Sequence, residues 1–237
     1  MEDCQGITVH AARFDRLGGP VFYASLPCSG EIFKGHRTNG SGDKRRLVSV
    51  LWDHLVAMGS PLWKCFHSSH RADFPIRVIR GPLGRPHLLL GEYRGPAISF
   101  SEGGGNVWAA LCGDRSDIGI DVAGSDEFQK EYPFHRVFND QELQYALRLA
   151  GGELASASAL LWSIKEAVVK ALGCAFHLVA PLQINVCPPV TGGDGGYILP
   201  VRLSSKALMR FPIGGGRTIW VRSLPHLKMW LSTALLN

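Results

Sequence analysis

Two short segments constrain what this 237-residue chain can fold into more than any other feature. In Asp117-Ile118-Gly119-Ile120-Asp121-Val122, the apolar Ile118, Ile120 and Val122 alternate with Asp117, Gly119 and Asp121, the period-two pattern of a strand with one buried face. Gly119 and Asp121 then share the other face. A glycine beside a carboxylate leaves room for a ligand against the backbone, and an aspartate suits a hard cation such as Mg2+, which keeps waters and substrate phosphates in its shell. Taken alone, such a pattern is more often a strand that ends at a solvated aspartate.

The second segment is Trp162-Ser163-Ile164-Lys165-Glu166-Ala167-Val168-Val169-Lys170. Helical spacing runs through Leu161, Ile164, Val168 and Leu172 from an Ala, Leu and Ser-rich start near Glu153, and Gly173 is a C-terminal stop. At 3.6 residues per turn Trp162, Glu166 and Lys170 fall on one face, with Lys165 adjacent. An isolated Glu166 to Lys170 pair at i,i+4 contributes only about 0.2 to 0.5 kcal/mol and says nothing about function. The order and separation of the two segments carry the argument.

Gly-Ile-Asp-Val followed by Trp-x-x-Lys-Glu-Ala-x-x-Lys resembles the pair of signatures of the phosphopantetheinyl transferase superfamily. Upstream, Gly84-Arg85-Pro86 resembles its Gly-Lys-Pro element, and Ala97 to Gly104 aligns with its Phe-Asn-x-Ser-His-Ser-Gly element. The length suits the larger, surfactin-type, two-half member. The resemblance implies an α+β fold built as a pseudo-two-fold pair of subdomains, residues 1–115 and 116–237, with the active site at their interface. No repeat is visible in the sequence itself. Expected helices cover Lys44 to Met58, Asp140 to Ala150 and the Trp162 segment. Expected strands lie near Ile76–Ile79, Ala97–Ser101, Val107–Leu111, Leu182–Val186, Tyr197–Leu203, Arg217–Leu224 and Leu227–Ala234, with glycine-rich turns at 192–196 and 214–216.

The implied reaction moves 4′-phosphopantetheine from coenzyme A to a serine of an apo acyl, peptidyl or aryl carrier protein and releases 3′,5′-ADP. A serine hydroxyl is a poor nucleophile and the pyrophosphate is heavily charged, so such a site needs a base, a metal and cations. By resemblance, Asp121 and Glu166 hold Mg2+ or Mn2+, Glu166 takes the serine proton, and Lys170 and Lys165 neutralise phosphate charge. Arg85 with Pro86, Ser101, and one of Arg45 and Arg46 would contact coenzyme A. A solvated helix end is an equal reading for Arg45 and Arg46.

Two positions depart from the pattern. Glu102 stands where the family has histidine, and Ala123 where it has a second acid. Glu102 as a replacement metal ligand and Glu102 as a solvated loop residue are equally open readings. The same departures sustain a second hypothesis, a catalytically weak relative that binds coenzyme A or a carrier protein.

Composition agrees with a compact cytoplasmic enzyme, and the resemblance implies a monomer. Hydrophobic residues make up 46% and charged residues 19%, ample for a core. No apolar run reaches membrane-spanning length and no secretory leader is apparent at Met1. Six cysteines without a Cys-x-x-Cys read as reduced thiols. The formal net charge of +5 favours acidic partners, here coenzyme A and a carrier protein, and no aromatic-interleaved basic patch points to nucleic acid. His67 and His70 read as surface polar residues. Trp162 is expected in the core, as is the aromatic stripe Phe128, Tyr132, Phe134 and Phe138.

Overall fold

The alternation at 117–122 belongs to an eight-residue strand, and the chain is arranged around it. The computed structural model describes residues 7–14, 20–28, 32–33, 36–37, 41–66, 75–128, 132–193, 195–211 and 218–236. His67, His70 and the turn at 214–216 lie outside the described residues.

In chain order the elements are β1 (His10–Ala12), β2 (Val21–Pro27), β3 (Ile32–Phe33), β4 (His36–Arg37), α1 (Ser41–Ala57), β5 (Ile76–Arg80), β6 (Pro86–Leu90), β7 (Tyr93–Arg94), β8 (Ile98–Gly103), β9 (Asn106–Cys112) and β10 (Asp117–Gly124). They continue with α2 (Phe134–Val137), α3 (Asp140–Leu149), α4 (Leu154–Ala171), β11 (Ile184–Val186), β12 (Thr191–Gly193), β13 (Gly196–Leu203), α5 (Ser205–Arg210), β14 (Ile219–His226) and β15 (Met229–Leu236). The fold is α+β, with every described strand pair antiparallel.

Two sheets dominate, one ordered β1-β2-β9-β8 and the other β10-β15-β14-β13-β11, with β12 paired to β13. Strand alternation assigns their faces. On β2 and β9, Phe22, Ala24, Leu26, Val107, Ala109 and Leu111 pack with Leu47, Leu51 and Leu55 of α1. The intervening Val21, Tyr23, Trp108, Ala110 and Cys112 meet Ile118, Ile120 and Val122 of β10 and Leu231 and Leu235 of β15. The far face of the second sheet, through Leu199, Val201, Val221 and Ala234, packs on Ala157, Leu161, Ile164 and Val168 of α4. The result is four layers, helix, sheet, sheet, helix, in which β10 is buried on both faces.

Local sequence explains the ends of the helices. Asn139 and Glu142 form a reciprocal capping box that starts α3, at 2.8 and 3.0 Å. Gly173 at φ +70 stops α4, its amide donating to the Lys170 carbonyl while the Cys174 amide reaches back to Val169. A separate hairpin, β5-β6-β7, projects beside the first sheet. β1, β2, β3, β4, β6, β7, β12, α2 and α5 were not foreseen from the sequence; most are too short to show a period, and β2 lacks clean alternation.

Candidate active site

The bare face of Gly119 does not make room for a ligand, as the sequence suggested. A Cβ built there would lie 1.9 Å from the Ala167 carbonyl oxygen and 2.7 Å from the Ala171 amide nitrogen. The glycine instead lets the backbones of β10 and α4 approach, and that approach fixes the position of the next outward residue, Asp121, against the last turn of α4.

Asp121 is 6% exposed. Its Oδ1 accepts from Lys170 Nζ at 2.7 Å and from Ser101 Oγ at 2.8 Å. Lys170 Nζ also reaches the Ile120 carbonyl at 3.1 Å and Ser101 Oγ at 3.3 Å. The edge strands of the two sheets meet here without a backbone ladder. Serine hydroxyls of β8 take the free amides of β10, Ile120 to Ser99 at 3.1 Å and Val122 to Ser101 at 3.3 Å. Ser99 was not singled out from the sequence; its signal is the Ser99-x-Ser101 alternation.

One helical turn before Lys170, Glu166 is half-buried. Burial raises its pKa above the ordinary carboxylate range, the negative charge of Asp121 adds to this, Lys170 opposes it, and Glu127 contributes in the same direction as Asp121. Glu127 closes a 3-10 turn after β10 and accepts from the Gly124 amide at 2.8 Å. Two acids of opposite elements, Asp121 and Glu166, thus share one locality and repel.

Beside this cluster lies a cleft of about 680 Å³ between α1, the β5-β6 hairpin, β8 and the end of α4. Among the described residues, six basic side chains line it, Lys44, Arg45, Arg77, Arg80, Arg85 and Lys170, together with apolar Val48, Ile98 and Phe100, and no carboxylate does. A cleft of that volume and sign suits a polyphosphate ligand with an apolar portion.

Residues 117–205, which span β10, α4 and the strands up to α5, match the family model described as the 4′-phosphopantetheinyl transferase superfamily. The matched segment is the one that carries Asp121, Glu166 and Lys170. A Synechocystis sp. protein named "Putative 4'-phosphopantetheinyl transferase slr0495" is 26% identical over 156 residues, 64% of this chain, and the match spans 58% of that relative's length. Among solved structures, a chain titled Chronobacterium ammoniagenes ACPS-CoA complex aligns with 52% of this chain and 98% of its own length, at 18% identity and a TM-score of 0.42.

The residues that resemble the transferase signatures do not all gather at the cleft. Lys170 lines it, Asp121 and Ser101 adjoin it through their bonds to Lys170, and Glu166 stands one helical turn before Lys170. Ser101, expected on a phosphate, is engaged with Asp121, Lys170 and the Val122 amide. Arg85 and Pro86 line the cleft, with Arg85 ion-paired to Asp117 and its side chain over Gly173. Arg45 lines it too, while Arg46 is not among its walls.

Lys165 is elsewhere. It is fully buried, and its ammonium donates to Glu142 Oε1 at 2.5 Å, the Val137 carbonyl at 2.8 Å and the Pro181 carbonyl at 3.0 Å. Adjacent helix positions differ by 100°, so Lys165 faces α3 while Glu166 and Lys170 face β10. Burial lowers its pKa and Glu142 opposes this. Its place in the structure is a core anchor, away from the phosphate cleft.

Glu102 also departs from expectation. Alternation along β8 turns Ser101 to β10 and Glu102 to the side of α1, where its Oε1 accepts from Lys44 Nζ at 2.9 Å. Among the described residues no cluster of three or more His, Cys, Asp or Glu side chains could hold a metal ion. What remains is a two-carboxylate arrangement, Asp121 with Glu166, whose mutual repulsion a dication relieves. That donor set fits Mg2+, which binds through one or two carboxylates and completes its shell with waters and substrate phosphates.

Trp162 packs against Phe176 at 4.9 Å and Phe128 at 6.4 Å between ring centroids, and Tyr132 and Phe138 join the same aromatic cluster. This cluster sits one turn from Glu166 on the same face of α4. No described helix is long and apolar enough to cross a membrane.

Proposed function

We propose that this protein transfers 4′-phosphopantetheine from coenzyme A to a serine of an apo acyl, peptidyl or aryl carrier protein, releasing 3′,5′-ADP. The observation that carries the reading is Lys170, which lines a cleft walled by six basic side chains and, among the described residues, no acid, while it bonds Asp121 and stands one helical turn from Glu166.

Residues 1–115 supply most of the cationic walls, through Lys44, Arg45, Arg77, Arg80 and Arg85, and residues 116–237 supply the reacting groups. The basic walls bind the 3′-phosphate and pyrophosphate of coenzyme A. Lys170 exchanges its bond to Asp121 for the pyrophosphate and neutralises the charge that builds on the 5′-phosphate of the leaving 3′,5′-ADP. Glu166, its pKa raised by burial, accepts the proton as the carrier serine oxygen forms a bond to the β-phosphorus. The bond from that phosphorus to the bridging oxygen breaks, and 3′,5′-ADP departs with the electron pair. Asp121 and Glu166 would hold Mg2+ or Mn2+, which supplies charge neutralisation to the pyrophosphate when bound. Such a reaction belongs in the cytoplasm, and a single chain contains every group it requires.

The test is mass spectrometry of apo carrier proteins of each class incubated with this protein, coenzyme A and Mg2+, beside Glu166→Gln. A gain of one phosphopantetheine, about 340 Da from the chemistry of the attached group, that is lost with the variant supports the reading. Coenzyme A binding with no transfer to any carrier refutes the activity and favours a binding module.

A further inference from the structure

We propose that Glu102 is a built-in competitor for Lys44, a carboxylate that any polyphosphate entering the cleft must displace and that thereby sets the affinity of the cleft. The inference rests on the cleft being the coenzyme A site.

Four of the six cleft cations already meet carboxylates: Arg85 meets Asp117, Lys170 meets Asp121, Lys44 meets Glu102, and Arg77 meets the exposed Glu92 at a longer 3.4 Å. Asp117 and Asp121 belong to β10 and sit at the seam with α4. Glu102 differs in its setting. It comes from the end of β8, on the α1 side, and like the other carboxylates it is not itself a wall of the cleft but meets a residue, Lys44, that is one. Alternation forces this geometry, since Ile98 and Phe100 face α1 and Glu102 continues their row.

Lys44 projects from the first turns of α1. Its ammonium stands 5.9 Å from the centroid of the Phe100 ring, which steers the aliphatic stem along the cleft wall. Both members of the pair are 32% exposed, so the bond is open to competition from solvent and from anions. A phosphate oxygen arriving at Lys44 meets a carboxylate that both occupies the donor and repels the newcomer. Glutamine at 102 keeps the shape and removes both effects.

The measurement is the Kd of coenzyme A by calorimetry for the full chain, Glu102→Gln, Lys44→Met and the double variant, at low and at high salt, each protein first checked by its melting temperature. For an ion pair of this exposure the expected gain in affinity for Glu102→Gln is about two- to five-fold at low salt. The gain shrinks at high salt, where screening weakens the pair. In the Lys44→Met background the same change at 102 leaves Kd unaltered.

An undiminished gain in the Lys44→Met background overturns the proposal, since Glu102 would then act only through the general field. Weaker binding in Glu102→Gln also overturns it. If the wild-type chain binds coenzyme A and Glu102→Gln changes nothing, the competitor role falls and the cleft assignment stands. If none of the four proteins binds coenzyme A, both fall together.

Discussion

Replacing Lys165 with methionine separates an anchoring lysine from a catalytic one. The Lys165–Glu142 pair is fully buried, and every partner is identified: Glu142 also accepts from the Asn139 amide at 3.0 Å and the Val186 amide at 3.2 Å. One pair thus ties α2, α3, β11 and the 3-10 turn at Pro181 to α4, one residue before Glu166. Removing one partner of a buried ion pair costs about 3 to 5 kcal/mol, because the other charge is left uncompensated. Lys165→Met falls at the low end of that range, since two backbone amides still solvate Glu142. Glu142→Leu falls at the high end, since it strands a buried ammonium and also removes the capping box. With about 2 to 4 °C per kcal/mol for a chain of this size, melting temperatures drop by roughly 6 to 20 °C. The Lys165→Met, Glu142→Leu double variant is less destabilised than the sum of the singles by at least about 2 kcal/mol, the coupling between contacting charges. Urea unfolding measures all four proteins. Additive singles would refute the anchoring role, as would a Lys165→Met protein of wild-type stability that no longer binds coenzyme A. The sign with pH is a further check in Glu142→Gln. Burial holds the folded pKa of Lys165 below its unfolded value, so the fold binds fewer protons and stability of that variant rises as pH climbs toward the ordinary lysine range.

Glu166→Gln lowers carrier modification by about 10² to 10⁴-fold, the usual share of a positioned base. Its Kd for coenzyme A stays within a few-fold, because Glu166 is not a wall of the cleft; parallel rate and calorimetry measurements decide it. Gly119→Ala costs at least about 3 kcal/mol, above the common range for overpacking because the obstruction is backbone. Gly42→Ala, with open space around its Cβ, changes stability by less than about 1 kcal/mol in the same urea titration. Burial pushes the Cys174 thiol up to about 11, so iodoacetamide at pH 8.5 leaves Cys174 unmodified in the native protein and labels it after denaturation, read by peptide mass. Its contribution to stability is present below the ordinary thiol pKa and is lost as pH rises toward 11. Glu102→Gln retains the wild-type Mg2+ requirement for turnover; a shifted requirement would return Glu102 to the metal.

The legible part of this chain was the part with strong local periodicity. Alternation at 117–122 and helical spacing at 153–172 fixed β10 and α4 to within a few residues, and Asn139 with Glu142, or Gly173, marked helix ends through chemistry that acts over four residues. The choice of Asp121, Glu166 and Lys170 followed from the resemblance, and spacing alone put only Glu166 and Lys170 on one helix face. Lys165 and Glu102 show where that reasoning stops. Each is one residue from a site group, and one residue is a 100° turn on a helix or a reversal of face on a strand. What the sequence could not supply was what waits on those other faces: Glu142 across the core for Lys165, and Lys44 across the mouth of the cleft for Glu102. Those partners come from 23 and 58 residues away. The sequence by itself determined the strongly periodic elements and that Glu166 and Lys170 share a helix face. Only the tertiary structure decided which charges meet a ligand and which are buried against one another, because pairing depends on how separate elements pack and local periodicity carries no record of that.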